Sequence, residues 1–145
     1  MDAVKFLEED HLATQTAMEQ IALSQPTHRK ELFKALRRGV EVHDTVEKNI
    51  LYPWMLSNPK TAALAHWNVQ SHLLVDKAMD RLEALPVEDK GWTVAFNELR
   101  VHLLKHAQNE DVSVFKKITE LSTGEERNTI GHKMTTERER LLKSY

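Results

Sequence analysis

The sequence predicts an all-α protein, an antiparallel up-down-up-down four-helix bundle with an additional C-terminal helix. One reason is composition: the 145 residues include only four glycines and four prolines, and 29% of them are charged, which favours helices. The other is periodicity, because proline and glycine divide the chain into long stretches with apolar residues every three or four positions. Short connections between such helices place neighbouring helices antiparallel.

The first two predicted helices each carry a histidine within the apolar stripe. The first helix covers roughly residues 2–24 and stops before Pro26. Its stripe consists of Val4, Leu7, His11, Thr14, Met18 and Ile21. The second helix covers roughly residues 27–53 and ends at Tyr52-Pro53. Its inward positions are Leu32, Leu36, Gly39 or Val40, His43, Glu47 and Ile50.

The third and fourth predicted helices show the same kind of stripe. The third opens at Asn58-Pro59, an N-cap residue followed by proline at the first helical position, and stops before Pro86. Its stripe consists of Ala65, Asn68, His72, Val75, Met79 and Leu82. The fourth covers roughly residues 89–122. Its stripe consists of Phe96, Leu99, Leu103, His106, Glu110 and Val114.

A capping-box pattern, Thr123-x-x-Glu126, predicts a fifth and more polar helix. We therefore expect residues 1–122 to form the four-helix bundle and residues 123–145 to form a C-terminal helix packed on the same domain. A chain of 145 residues is long enough to bury one proper core.

Composition excludes several classes of function. The chain has no cysteine, so disulfides, thiol catalysis, cysteine zinc sites and iron–sulfur ligation are excluded. A formal charge of −2 gives no electrostatic reason to bind nucleic acid or an anionic membrane. The N-terminus lacks the features of a signal peptide, and no apolar run is long enough to span a membrane. We expect a cytoplasmic protein.

The chain contains one short pattern twice, a lone histidine followed on the next predicted helix by His-x-x-x-Glu. The two copies are His11 with His43 and Glu47, and His72 with His106 and Glu110. The lone histidine precedes the pair by 32 residues in the first copy and by 34 in the second. Residues i and i+4 of a helix lie on the same face, so each pair directs an imidazole and a carboxylate to one place.

All six of these residues occupy inward positions near the middle of their helices. In antiparallel packing, mid-helix positions meet in one layer, so six polar side chains converge within an apolar interior. Such groups are expensive to bury unless they are paired or bound to metal. Two interpretations remain open at this point: a site for two metal ions, or a metal-free network of side-chain hydrogen bonds.

With these residues, the chain resembles the hemerythrin-like family, whose domains are called HHE cation-binding. The repeated unit of that family is a histidine on one helix followed by His-x-x-x-Glu on the next. It appears here as Glu9-Asp10-His11-Leu12 with His43-Asp44-Thr45-Val46-Glu47, and as Ser71-His72-Leu73 with His106-Ala107-Gln108-Asn109-Glu110. The segment Glu47-Lys48-Asn49-Ile50-Leu51-Tyr52-Pro53 is also similar to the end of the family's second helix. The resemblance covers roughly residues 5–120.

The resemblance implies a non-haem di-iron site. Glu47 and Glu110 would bridge two iron ions, the four histidines would cap them, and an oxo or hydroxo bridge would leave an open position on each ion. Manganese or zinc could replace iron in such a set of ligands. Leu103 would lie over the ligand pocket.

One departure from the family concerns oxygen carriage. The oxygen-carrying members add a fifth histidine through a His-x-x-x-His pair on the third helix, whereas the residues four positions from His72 are Asn68 and Asp76. Asp76 and His102 are candidates to bind the metal as additional ligands or to contact a side chain that binds it. The resemblance therefore implies reaction with O2, peroxide or NO in preference to reversible oxygen carriage.

Two further hypotheses remain for the function. One is a non-catalytic module that binds oxygen or iron, for sensing or storage, and signals through residues 123–145. The other is a helical interaction domain without metal. For the di-iron protein we expect a small diatomic ligand or peroxide as the partner, no nucleic acid, no membrane, and a monomer or weak homodimer.

Overall fold

The computed structural model describes residues 1–144, which form five helices and no strand. Helices α1, α3 and α5 are uninterrupted, whereas α2 and α4 each contain one π-helical turn. The bounds are Ala3–Ala22 for α1; Pro26–Val46, a π turn at Glu47–Leu51 and Tyr52–Leu56 for α2; Pro59–Glu83 for α3; Lys90–Asn109, a π turn at Glu110–Val114 and Phe115–Leu121 for α4; and Gly124–Lys143 for α5. The predicted all-α class is confirmed. Tyr145, included in the predicted C-terminal segment, lies outside the described residues.

Side-chain caps fix where the helices begin. Asp2, Asn58 and Asp89 each accept a hydrogen bond from the backbone N–H two residues later, at 2.8, 2.9 and 2.7 Å respectively. Thr123 and Glu126 form the predicted capping box, with both reciprocal bonds at 3.0 Å. These bonds satisfy N–H groups that have no partner within the first turn of a helix.

The hydrophobic core consists of two clusters, one on each side of a polar layer. The first cluster collects residues from the start of α1 and α3 and from the end of α2 and α4, including Phe6, Leu7, Val46, Leu51, Met55, Ala65, Val114 and Ile118. The second collects residues from the opposite ends, including Met18, Ile21, Phe33, Leu36, Val75, Met79, Leu82, Phe96 and Leu99. Successive helices thus contribute opposite ends to each cluster, which is consistent with the predicted up-down-up-down order.

The end of the second helix differs from the prediction. We expected it to end at Tyr52-Pro53, but α2 continues to Leu56. Proline normally breaks a helix because it has no backbone N–H and its ring meets the preceding turn. Here Pro53 lies two residues after the π turn Glu47–Leu51, and the Tyr52 N–H donates to the Glu47 carbonyl five residues earlier. The wider turn changes the hydrogen-bond register just before the proline and accommodates it.

The C-terminal helix α5 packs on α1 and α2. Arg127 Nε lies 2.8 Å from Asp2 Oδ2, and the guanidinium of Arg138 lies 4.2 Å from the centre of the Phe6 ring. The N-terminal backbone crosses α5 so closely that a Cβ at Gly131 would lie 1.9 Å from the Met1 carbonyl oxygen. Each described helix lacks the length or the apolar character needed to cross a membrane.

We predict that Gly131→Ala lowers the free energy of unfolding by about 2 kcal/mol, because the new methyl group must displace the N-terminal backbone. The control is Gly39→Ala, since nothing lies within 4 Å of a Cβ at that helical position. This control should be neutral or more stable by up to roughly 1 kcal/mol. Urea denaturation of both variants measures the difference, and equal stability would show that the N-terminus does not pack on α5.

Candidate metal centre

The six residues of the repeated pattern come together in the polar layer. They form two groups, His11 with His43 and Glu110, and His72 with His106 and Glu47, and within each group the potential ligand atoms lie within 4.8 Å of one another. Each group takes both histidines from one copy of the pattern and the glutamate from the other copy. The two halves of the chain are therefore interlocked at this layer.

Each glutamate lies between a histidine of its own copy and a histidine of the other copy. The distances from the glutamate Oε1 to the histidine Nε2 are 2.7 Å for Glu47–His43, 3.5 Å for Glu47–His72, 2.8 Å for Glu110–His106 and 3.2 Å for Glu110–His11. Both glutamate side chains are fully buried. A carboxylate in this position can contact a cation in either group, which is the geometry that a bridging ligand requires.

The unpaired atoms of the site fit a bound cation. His43 Nε2 and Glu47 Oε1 are buried and 2.7 Å apart, yet they form no hydrogen bond with each other or with another described residue. The Nε2 atoms of His72 and His106 also face each other, at 3.2 Å. Where these nitrogens carry no proton, their lone pairs face another lone pair, which is unfavourable in a core, and a cation between the atoms would satisfy them. Imidazole nitrogen and carboxylate oxygen together suit iron, manganese or zinc.

Three of the four histidines are held by a hydrogen bond on the ring nitrogen that faces away from the centre. The pairs are His43 Nδ1 with Asp10 Oδ2 at 2.9 Å, His11 Nδ1 with Asp111 Oδ1 at 3.1 Å, and His106 Nδ1 with Ser71 Oγ at 2.7 Å. When Nδ1 carries the proton and donates it to such a partner, Nε2 presents its lone pair to the centre. These contacts orient the imidazoles for metal binding.

Sequence reasoning did not identify Asp10, Ser71 or Asp111 as part of the site. Asp10 and Ser71 directly precede the lone histidines, and Asp111 directly follows Glu110. The only available signal was this adjacency to the repeated pattern. The partner of each residue lies about 33 to 100 positions away in the chain, so the pairing depends on the packing of the helices.

Tyr52 is a further residue of the site that the sequence did not reveal. Its hydroxyl lies 3.3 Å from Glu47 Oε2 and 3.2 Å from His72 Nε2. Burial, and after it the charges of Glu47 and Glu110, raise the pKa of Tyr52 well above its usual value, so the phenol keeps its proton. It can therefore donate a hydrogen bond to the second oxygen of Glu47.

The π turns explain how Tyr52 reaches the centre. In an α-helix with 3.6 residues per turn, residue i+5 faces away from residue i. In a π turn, the i to i+5 bond brings the two residues one above the other. Tyr52 stands five residues after Glu47, and Phe115 stands five residues after Glu110, where its ring stacks on His11 with centroids 5.7 Å apart.

Asn68 lies four residues before His72, at one of the two positions where the sequence was compared with the His-x-x-x-His pair. It is fully buried, its Nδ2 lies 3.5 Å from Glu110 Oε2, and its Oδ1 has no hydrogen-bond partner among the described residues. Asn68 thus does for Glu110 what Tyr52 does for Glu47, since each donates to the carboxylate oxygen that does not face the histidines.

The remaining sequence candidates lie around this centre. Leu103 is buried and lines a cavity that reaches all four histidines. Asp76 and His102 are partly exposed, and neither belongs to a group of potential ligand atoms within the described part of the chain. Asp44, in contrast, lies 3.4 Å from His72 Nε2 and forms a third such group with His43 and Glu47. Burial raises the pKa of Asp44 to about 6.

In the metal-free site, three of the histidines and the neighbouring carboxylates shift each other's pKa values. Burial lowers the pKa of His43, but Glu47 and Asp10 more than offset it, so the pKa lies well above the usual 6.5. The pKa values of His11 and His72 are raised for the same reason, by Glu110 and Glu47 respectively. Burial raises the pKa of Glu47, but the neighbouring imidazoles reverse this and hold it well below its usual value.

The fold and the site define a class of protein: a helical bundle whose core brings histidine and glutamate ligands together for cations. The family model described as hemerythrin HHE cation binding domain matches residues 2–130, and the chain belongs to this family. The structure is also similar to a crystal structure of a hemerythrin HHE cation binding domain-containing protein from Mycobacterium kansasii, a homologue of Rv2633c. The two chains are 24% identical with a TM-score of 0.88, over 99% of this chain and 89% of that one. No curated protein matches the chain significantly.

We predict that metal binding at pH 7 releases on the order of one to three protons per chain, because the raised histidine pKa values keep protons on the metal-free site. A raised pKa also means that affinity falls as the pH falls, and that it still rises with pH above 6.5. Calorimetric titration with zinc, repeated in buffers that differ in ionisation enthalpy, measures the number of protons released per chain. The exposed His132→Gln variant should release the same number. Affinity that is constant above pH 6.5 would contradict the prediction.

Proposed function

We propose that this protein is a non-haem di-iron protein that reacts with O2, peroxide or NO. The observation that carries the proposal is the interlocked arrangement of two groups, in which each buried glutamate touches one histidine from each copy of the pattern. Two imidazoles per group and two shared carboxylates are sufficient for two ions and excessive for one. Iron suits nitrogen and oxygen ligands without sulfur, and manganese or zinc could take its place.

The residues around the proposed ions have separable tasks. The Nε2 atoms of the four histidines would hold the ions, and Glu47 and Glu110 would bridge them. Tyr52 and Asn68 would fix the orientation of the two carboxylates through their second oxygens. Bound iron would supply electrons and Lewis acidity to a small ligand. Leu103 would limit the access of water from the cavity.

The lack of a histidine four residues before or after His72 supports reaction over reversible carriage. Asn68 offers an amide in place of an imidazole, and its nitrogen faces Glu110. With one histidine fewer than in a carrier, a coordination position would be free on both ions instead of one. Both ions could then share in the reduction of a ligand, which favours irreversible chemistry.

A sensing role is the second candidate, and one chain of contacts favours it. The Asp10 carboxylate accepts from His43 Nδ1 at 2.9 Å through one oxygen and from Arg138 Nη1 at 2.9 Å through the other. Arg138 belongs to α5, so a change at His43 can alter how the C-terminal helix is held. Ligand-dependent hydrogen exchange in α5, reduced by Arg138→Gln, would support a sensor.

We predict about two metal ions per chain, mainly iron, in protein expressed in iron-replete medium. Glu47→Ala and Glu110→Ala should each lose both ions, since each removes a bridge. Glu98→Ala removes an exposed glutamate of α4 and should retain them, as should His102→Ala. Elemental analysis of the folded variants measures the content. A folded wild-type protein without metal would refute the proposed function.

We also predict that air oxidises the diferrous protein irreversibly. Leu103→Ala should accelerate this oxidation several-fold, because water and protons gain access to the ligand. Leu99→Ala, one turn earlier in α4 and away from the cavity, serves as the control for a general loss of packing. Stopped-flow mixing with oxygenated buffer records the reaction. A spectrum that reverses when oxygen is removed would instead indicate a carrier.

A further inference from the structure

A cavity of about 450 Å³ leads from the surface to the four histidines, mainly between α1 and α4. Its volume far exceeds the needs of a diatomic ligand, since a water molecule takes about 30 Å³. It lies instead within the range of roughly 300 to 1,000 Å³ that is typical of organic ligands. The walls between the surface and the histidines are largely apolar: Leu12, Met18, Val40, Val75, Leu103 and Leu104.

The mouth of this cavity carries exposed apolar side chains beside four exposed polar ones, Glu8, Gln15, Gln108 and Asp111. Leu12 on α1 and Leu104 and Val112 on α4 are 64%, 42% and 65% exposed. Single exposed apolar residues are common on protein surfaces. These three, however, line one opening from both sides. An apolar molecule that enters between them can remain in contact with apolar walls until it reaches the metal centre.

The size of the cavity and its apolar walls favour one of the three ligands in the proposed function, O2, NO and peroxide. O2 and NO have no position for a substituent, whereas peroxide can carry one. We propose that the cavity binds a neutral organic hydroperoxide, ROOH, with its –OOH group towards the histidines and its apolar R group along the walls. This inference rests on the proposed di-iron function and narrows its substrate class.

The charges around the cavity explain why the hydroperoxide should be neutral. The charged lining residues are Glu8, Asp44 and Asp111, and within the described chain neither lysine nor arginine lines the cavity. Along the walls, therefore, no lysine or arginine of the described residues is placed to pair with a carboxylate on the R group. A fatty-acid hydroperoxide in its anionic form would meet repulsion from Glu8 and Asp111 near the surface.

The corresponding reaction balances without a further reductant for a single turnover. Two ferrous ions held by the four histidines and the two glutamates would supply one electron each, and these two electrons would cleave the O–O bond of ROOH. The RO and OH fragments each take up one proton from solvent through the open mouth. The products are the alcohol ROH and water.

Binding can be tested without turnover on the zinc-loaded protein, with cumyl alcohol, the alcohol formed from cumene hydroperoxide, as the probe. We expect calorimetry to detect binding, and Leu104→Gln to weaken it about fivefold by making the wall polar. Val101→Gln is the matched control, because Val101 is exposed on the same helix but does not line the cavity. Leu12→Gln repeats the test from α1. The absence of binding, or equal effects of Leu104→Gln and Val101→Gln, would overturn the inference.

Selectivity can be tested in a single turnover of the diferrous protein. Cumene hydroperoxide should oxidise the centre faster than hydrogen peroxide does, and faster than the anionic hydroperoxide of linoleic acid. Leu104→Gln should lower the ratio of the cumene hydroperoxide rate to the hydrogen peroxide rate, and Val101→Gln should leave it unchanged. Metal analysis of the same samples separates the two proposals. Protein that takes up no iron refutes the di-iron function, whereas loaded protein that prefers hydrogen peroxide refutes only the organic substrate.

Discussion

Burial of two carboxylates and four imidazoles in one layer is the constraint on which the rest of this structure depends. Glu47 and Glu110 are completely inaccessible to solvent. A buried charge is tolerated only when it is paired, hydrogen-bonded or bound to a cation. The apolar core is divided accordingly into two clusters above and below the layer, and neither cluster extends through it. The bundle is thus built around the polar site and supports it from both sides.

The two halves of the chain share the same backbone arrangement around the buried glutamate, but the side chains that contact the site differ. In both, a histidine and a glutamate end a long helix and a π turn begins at the glutamate. The residue brought over the centre is a hydrogen-bonding tyrosine in the first half and a stacking phenylalanine in the second. Glu110 receives its donor from Asn68 instead. The protonated phenol consequently lies on the side of Glu47 and His72, so the two groups of potential ligands are chemically unequal.

The sequence predicted the features that depend on local periodicity. The stripes placed His11, His43, His72 and His106 on inward faces, and the capping box at Thr123 and the cap at Asn58 formed as expected. Tyr52 was missed because the 3.6-residue period places it on the wrong face, and only the π turn corrects this. The same π turn allows α2 to continue beyond Pro53, where the sequence predicted its end. Asp10 and Asp111 were missed for another reason: their hydrogen-bond partners are distant in sequence, and pairing follows from packing.

A proton and a metal ion compete for the same imidazole nitrogens, so the stability of the metal-free fold and the affinity for metal depend on pH in opposite directions. In the metal-free state, the raised pKa values of His11, His43 and His72 stabilise the fold fully below 6.5, and this contribution is lost as the pH rises through those values. The lowered pKa of Glu47 sets the acid limit, since its contribution is lost as the pH falls through that value. Metal binding strengthens with rising pH, where the proton pairs weaken. As the pH rises, a bound cation would therefore replace the imidazolium protons as the countercharge of the two buried glutamates.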